Sequence, residues 1–84
     1  MKKYQVVVPA KIANQLMHLP EREPLRIVGA IEILSKNPYP PNAAKLSGID
    51  AYRIRVGDYR IIYEIHKTEL IIVVVALEQC REAL

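Results

Sequence analysis

The chain has 84 residues, 51% of them hydrophobic, and a formal charge of +3 from twelve Lys and Arg against nine Asp and Glu, so it suits one small domain spanning residues 1–84. Its single cysteine, Cys80, excludes an internal disulfide and any Cys/His zinc spacing. The longest wholly apolar run, Leu70 to Leu77, falls far short of the roughly 20 residues that a membrane-spanning helix requires. The chain therefore reads as soluble and untargeted, suited to a reducing cytoplasm, with a core built from Ile, Val, Leu, Ala and the five tyrosines because Phe and Trp are absent.

Lys3 to Val8 is β-rich and predicts a first strand that ends at Pro9, which has no N–H to offer a ladder. From Ala10 the period changes. Ile12, Ala13, Leu16, Met17 and Leu19 recur at helical spacing and predict a short amphipathic helix closed by Pro20. A second helix is expected from about Glu23 to Lys36, its acidic start favoured by the macrodipole, with Leu25, Val28, Ile31 and Leu34 as its apolar stripe and Ile27 and Ile33 widening it. Asn37-Pro38-Tyr39-Pro40-Pro41-Asn42 has to be a connector, since its prolines remove donors and hold the backbone extended.

After Lys45-Leu46-Ser47-Gly48 the alternation becomes strict. Tyr52, Ile54 and Val56 predict one face of a strand and Arg53 and Arg55 the other; beyond a Gly57-Asp58 reversal, Tyr59, Ile61, Tyr63 and Ile65 predict the apolar face of its partner, opposite Arg60, Ile62 and Glu64. Leu70 to Leu77 reads as a strand buried on both faces in the centre of the sheet. Glu78 to Leu84 is expected to be a docked helical turn or a tail. The order strand, helix, helix, strand, strand, strand predicts an α+β fold in which a helical hairpin covers one face of a mainly antiparallel four-stranded sheet. Burying the Tyr59 face under the helices leaves Arg53, Arg55 and Arg60 together on the open face, and three guanidiniums on one patch of sheet suit a phosphate.

Leu19-Pro20, Asn37-Pro38, Lys45-Leu46-Ser47-Gly48, the run Tyr52-Arg53-Ile54-Arg55-Val56-Gly57-Asp58-Tyr59-Arg60-Ile61-Ile62-Tyr63 and Arg81-Glu82 together resemble the RelE/ParE superfamily of type II toxins over nearly the whole chain. Resemblance to the RelE branch implies a RelE-like fold and a ribosome-dependent endoribonuclease that cuts translated mRNA. It also implies catalytic roles for Arg53, Arg55, Arg60 and Arg81 and RNA contacts from Lys45, Arg53 and Arg55. Arg81 is then the donor to the leaving group. No metal or cofactor is implied, because attack by the 2′-hydroxyl needs none. The partners implied are a cognate antitoxin, in a hetero-oligomer, and the ribosome with its mRNA, in the cytoplasm and away from membranes.

Two departures from the RelE pattern carry chemical weight. Arginines stand at 53 and 55 where that branch often has lysines, and an always-protonated guanidinium is a poor general base; Glu64, Lys45 and His66 remain as candidates, with Glu64 also a natural partner for a neighbouring arginine. No tyrosine follows Arg81, which removes a stacking platform worth about 1–3 kcal/mol per base. The alternatives left open are a ParE-like inhibitor of DNA gyrase that cleaves nothing, and a scaffold that only binds its antitoxin.

Overall fold

The computed structural model describes residues 3–20 and 22–80, in which two helices pack on one side of a five-stranded sheet. The elements are β1 (Gln5–Val7), α1 (Ala10–Met17), α2 (Glu23–Lys36), β2 (Ala44–Lys45), β3 (Ala51–Val56), β4 (Tyr59–His66) and β5 (Ile71–Gln79), and the strands lie side by side in the order β1-β5-β4-β3-β2. The sheet is mixed. β1 runs parallel to β5 and the other three pairings are antiparallel. The expected four strands become five because Ala44 and Lys45, taken from sequence as a lead-in, pair with Arg53 and Tyr52 as a two-residue edge strand. No helix among the described residues is long and apolar enough to cross a membrane.

Both helices begin where proline permits. Pro9 precedes α1, and Pro24 occupies the first turn of α2, where a missing N–H costs nothing. Glu23 in the first turn and Lys36 in the last complement the helix dipole. α1 ends at Met17, ahead of Pro20, and its Gln15 side chain donates to the Leu77 carbonyl at 3.2 Å, tying the helix to β5.

α2 turns inward only part of the apolar face expected of it, with Ile31 and Leu34 of the expected stripe joined by Ile27. Ile27, Ile31 and Leu34 are buried, whereas Leu25 is 74% exposed, Ile33 58% and Val28 44%. A helix with apolar side chains on several faces does not reveal which one the sheet will cover. Here Ile27, Ile31 and Leu34 follow one another at helical spacing and meet the sheet as a single stripe.

The core face of the sheet matches strict alternation. Tyr59, Ile61, Tyr63 and Ile65 are all buried along β4, joined by Ile54 from β3 and by Ile72, Val74 and Leu77 from β5. β5 departs from the doubly buried strand expected of it, since Val75 is 42% exposed. The cause is a β-bulge: Ile62 pairs with Ala76 and Tyr63 with Val74, so Val75 has no opposite number and the inward set shifts from even to odd positions.

Tyr63 is fully buried, and its hydroxyl donates to the Pro38 carbonyl at 2.8 Å, which fastens the proline-rich connector to the sheet. Tyr52 stacks on it with ring centroids 6.0 Å apart, and Tyr39 meets Tyr52 edge-on at 5.2 Å. Loss of water around Tyr63, and then the neighbouring Tyr52 and Tyr39, push its phenol up to about 12 from an ordinary 10. A raised folded-state value in a group that is neutral when protonated gives stability that is whole below about pH 10 and lost as pH climbs through about 12. The loss should reach roughly 2–3 kcal/mol. Melting curves across that window should show it, and Tyr63→Phe should show a smaller alkaline loss than the parent. The same variant should cost about 1 kcal/mol near neutrality through the missing hydrogen bond.

Candidate functional site

The β3–β4 hairpin builds the site. Val56 pairs with Tyr59 across a two-residue turn, and only Gly57 in that turn takes a left-handed conformation, at φ +60°. Glycine at the first central position is the signature of a type II′ turn, whose twist matches that of the strands it joins. A Cβ added at Gly57 would lie 3.2 Å from Arg26 Nη1 on α2, so Gly57→Ala meets both backbone strain and crowding. We expect it to cost at least about 1 kcal/mol in a denaturant titration.

This tight turn fixes the register of the arginines. Arg55 stands directly opposite Arg60, and Arg53, two residues back on the same face, stands opposite Ile62 on one side and Ala44 on the other. All three therefore share the side of the sheet away from the helices; Arg53 and Arg55 are exposed and Arg60 is half-buried. They line a cleft of about 480 Å³ together with Asn42, Ala44, Gln79 and Cys80. Arg55 Nε donates to the Gly57 carbonyl at 3.0 Å, and the Cys80 N–H donates to the Asp58 carbonyl at 2.6 Å, so the turn and the end of β5 brace the cleft rim.

Glu78 enters this site unannounced by the sequence pattern. Its Oε1 accepts a hydrogen bond from Arg60 Nε at 2.7 Å, and both side chains keep close to half their surface in water. That bond, and the carboxylate charge behind it, raise the Arg60 guanidinium further above its ordinary range. Simple alternation from Ile72 and Val74 would send Glu78 to the core face. The bulge at Val75 reverses the later residues of β5, placing Leu77 inside and Glu78 beside Arg60.

The remaining sequence candidates lie elsewhere. Lys45 pairs with Tyr52, and directly opposed residues share a face, so its position is on the helix side of the sheet and outside the cleft. Glu64 shares the arginine face but lies opposite Ala51 and Val73; its Oε1 is 3.2 Å from His66 Nε2, so its partner is a histidine where an arginine was expected. Arg81, with the rest of the terminal segment 81–84, falls outside the described residues.

Residues 10–84 match the family model described as the ParE toxin of the type II toxin-antitoxin system parDE. The chain belongs to this family. It is thus the toxin of a type II toxin–antitoxin pair, within the RelE/ParE group. The archaeal RelE–RelB complex of Pyrococcus horikoshii contains a chain 28% identical to this toxin, with a TM-score of 0.83, covering 99% of this chain and 100% of that one. The RelBE2 complex of Mycobacterium tuberculosis is similar at 22% identity and TM-score 0.75, over 92% of this chain and 98% of that one. The isolated RelE toxin of Escherichia coli is similar at 16% identity and TM-score 0.81, over 95% and 87%. Comparison with curated protein sequences returns no match.

For the toxin, the arrangement defines what chemistry the cleft supports. Planar guanidiniums on adjacent strands offer forked donors to the non-bridging oxygens of a phosphodiester and counter charge that builds on it. Among the described residues the carboxylates of the open face, Glu78 and Glu64, are each engaged, by Arg60 and His66 respectively.

Proposed function

We propose that the toxin is a ribosome-dependent endoribonuclease of the cytoplasm, in which Arg53, Arg55 and Arg60 hold the scissile phosphate of an mRNA. The observation that carries this reading is the convergence of the three arginines on one solvent-facing cleft. The RNA's own 2′-hydroxyl gives up its proton to solvent water and attacks the neighbouring phosphorus; a new O2′–P bond forms, the P–O5′ bond breaks, O5′ takes up a proton, and the products are a 2′,3′-cyclic phosphate and a 5′-hydroxyl. The arginines neutralise the charge gathering on the non-bridging oxygens, and Arg81 supplies the proton to the departing oxygen. With the open-face carboxylates Glu78 and Glu64 already engaged, the cleft gains most from a substrate aligned for in-line attack by something else, and the ribosome supplies that alignment.

Purified toxin should cut mRNA on programmed ribosomes and leave the same RNA intact without them. Uncut mRNA, under conditions where a positive-control toxin cuts, would refute this reading. The matching family model is that of ParE toxins, which favours a second reading as a gyrase inhibitor without nuclease activity. Inhibited supercoiling together with intact mRNA would establish that reading in place of the first.

The toxin's partner on this view is a cognate antitoxin, as in the RelE–RelB and RelBE2 complexes that it resembles. The open face offers such a partner both charge and apolar area: the arginines at one end, and exposed Val7 and Val75 beside half-buried Ile62 and Val73 farther along. An acidic segment with apolar anchors suits that surface.

A further inference from the structure

Arg55, Arg60 and Glu78 form one row across three adjacent strands, each directly opposite the next. Two like charges facing each other across a ladder repel, and the third member of the row carries a charge that offsets part of that repulsion at Arg60. Glu78 takes the Nε–H of Arg60 with an anionic oxygen at 2.7 Å, which is the kind of contact that a phosphate oxygen makes with an arginine. Both side chains face water, so the pair is exchangeable and contributes little to holding the fold together.

We infer that Glu78 is a built-in stand-in for the phosphate: it occupies Arg60 in the empty toxin and lowers the affinity of the cleft for RNA that no ribosome presents. This rests on the phosphate-binding reading of the cleft given above. An RNA entering the site has to exchange with the carboxylate at Arg60 and then sit beside a displaced negative charge. Free single-stranded RNA is held weakly as a result, while a phosphate already positioned by a large assembly overcomes the same competition.

Glu78→Gln keeps the shape of the side chain and removes its charge. The test is fluorescence anisotropy with a short fluorophore-labelled oligouridylate, without ribosomes, across a salt series, for the parent, Glu78→Gln, Arg60→Gln and the double variant, each checked for folding by its melting curve. Glu78→Gln should bind about threefold to tenfold more tightly than the parent. Its log–log salt dependence should steepen by about 0.7, the equivalent of one additional phosphate contact on a single strand. The gain should be larger with Arg60 present than in the Arg60→Gln background.

Weaker or unchanged binding by Glu78→Gln would overturn the inference and assign Glu78 to orienting Arg60 instead. Equal gains in both backgrounds would overturn it too, by showing a general charge effect. If the parent binds and Arg60→Gln does not, while Glu78→Gln changes nothing, the inference alone fails. If none of the four proteins binds the RNA at any salt concentration, the phosphate-binding reading fails along with it.

Discussion

Ile61→Asp is expected to leave the domain unfolded at room temperature. Ile61 is fully buried at the centre of β4, opposite Ile54 on one side and Leu77 on the other, in the middle of the face that the helices cover. Removing a buried aliphatic side chain of this size costs about 2–5 kcal/mol. A carboxylate in its place adds the penalty of a buried charge with no partner, which is several kcal/mol even after relaxation. A domain of 84 residues has roughly 4–13 kcal/mol to lose. Circular dichroism and a thermal melt check this: the expected result is loss of the cooperative transition, and a melting curve like the parent's would mean that the core lies elsewhere.

Arg55→Ala and Arg60→Ala should each lower mRNA cleavage on ribosomes by about 100- to 1000-fold, the usual consequence of removing one donor aimed at developing charge. Both variants should remain folded. Arg55 lies exposed on the surface, and Arg60 is bonded on the open face to a carboxylate that water can solvate once the arginine is gone. Single-turnover cleavage rates on programmed ribosomes, with melting temperatures measured alongside, separate the two roles. A large fall in melting temperature with cleavage lost in proportion would make these arginines structural.

The parts of the molecule legible in the sequence are those where one residue in two is decisive. Along β3 and β4, alternation across Gly57-Asp58 placed Tyr59, Ile61, Tyr63 and Ile65 in the core and Arg53, Arg55 and Arg60 outside, as the structure has them. Alternation carries that information because a strand has only two faces and a two-residue turn leaves no freedom of register. α2 was harder to read. Apolar residues at Leu25, Val28 and Ile33 compete with Ile27, Ile31 and Leu34, and only packing against the sheet chooses between them.

Glu78 was illegible for a different reason. Its face depends on the single extra residue at Val75, and a run of isoleucines and valines carries no mark of where a bulge will fall. Lys45 joins the arginines only through the family resemblance; a two-residue edge strand sets its face by pairing, and it pairs with Tyr52. The family pattern pointed correctly to a type II toxin, while the arginine cluster itself, being physical, could be argued from the residues alone.

On the proposed function, the open-face arginines act on the phosphates of translated mRNA. Mapping mRNA 5′ ends after expressing the toxin in a sensitive host tests it most directly. New 5′-hydroxyl ends should appear in phase with codons, confined to translated regions and absent when Arg55→Ala is expressed in place of the parent. Growth arrest with an unchanged 5′-end profile and relaxed plasmid DNA would contradict it.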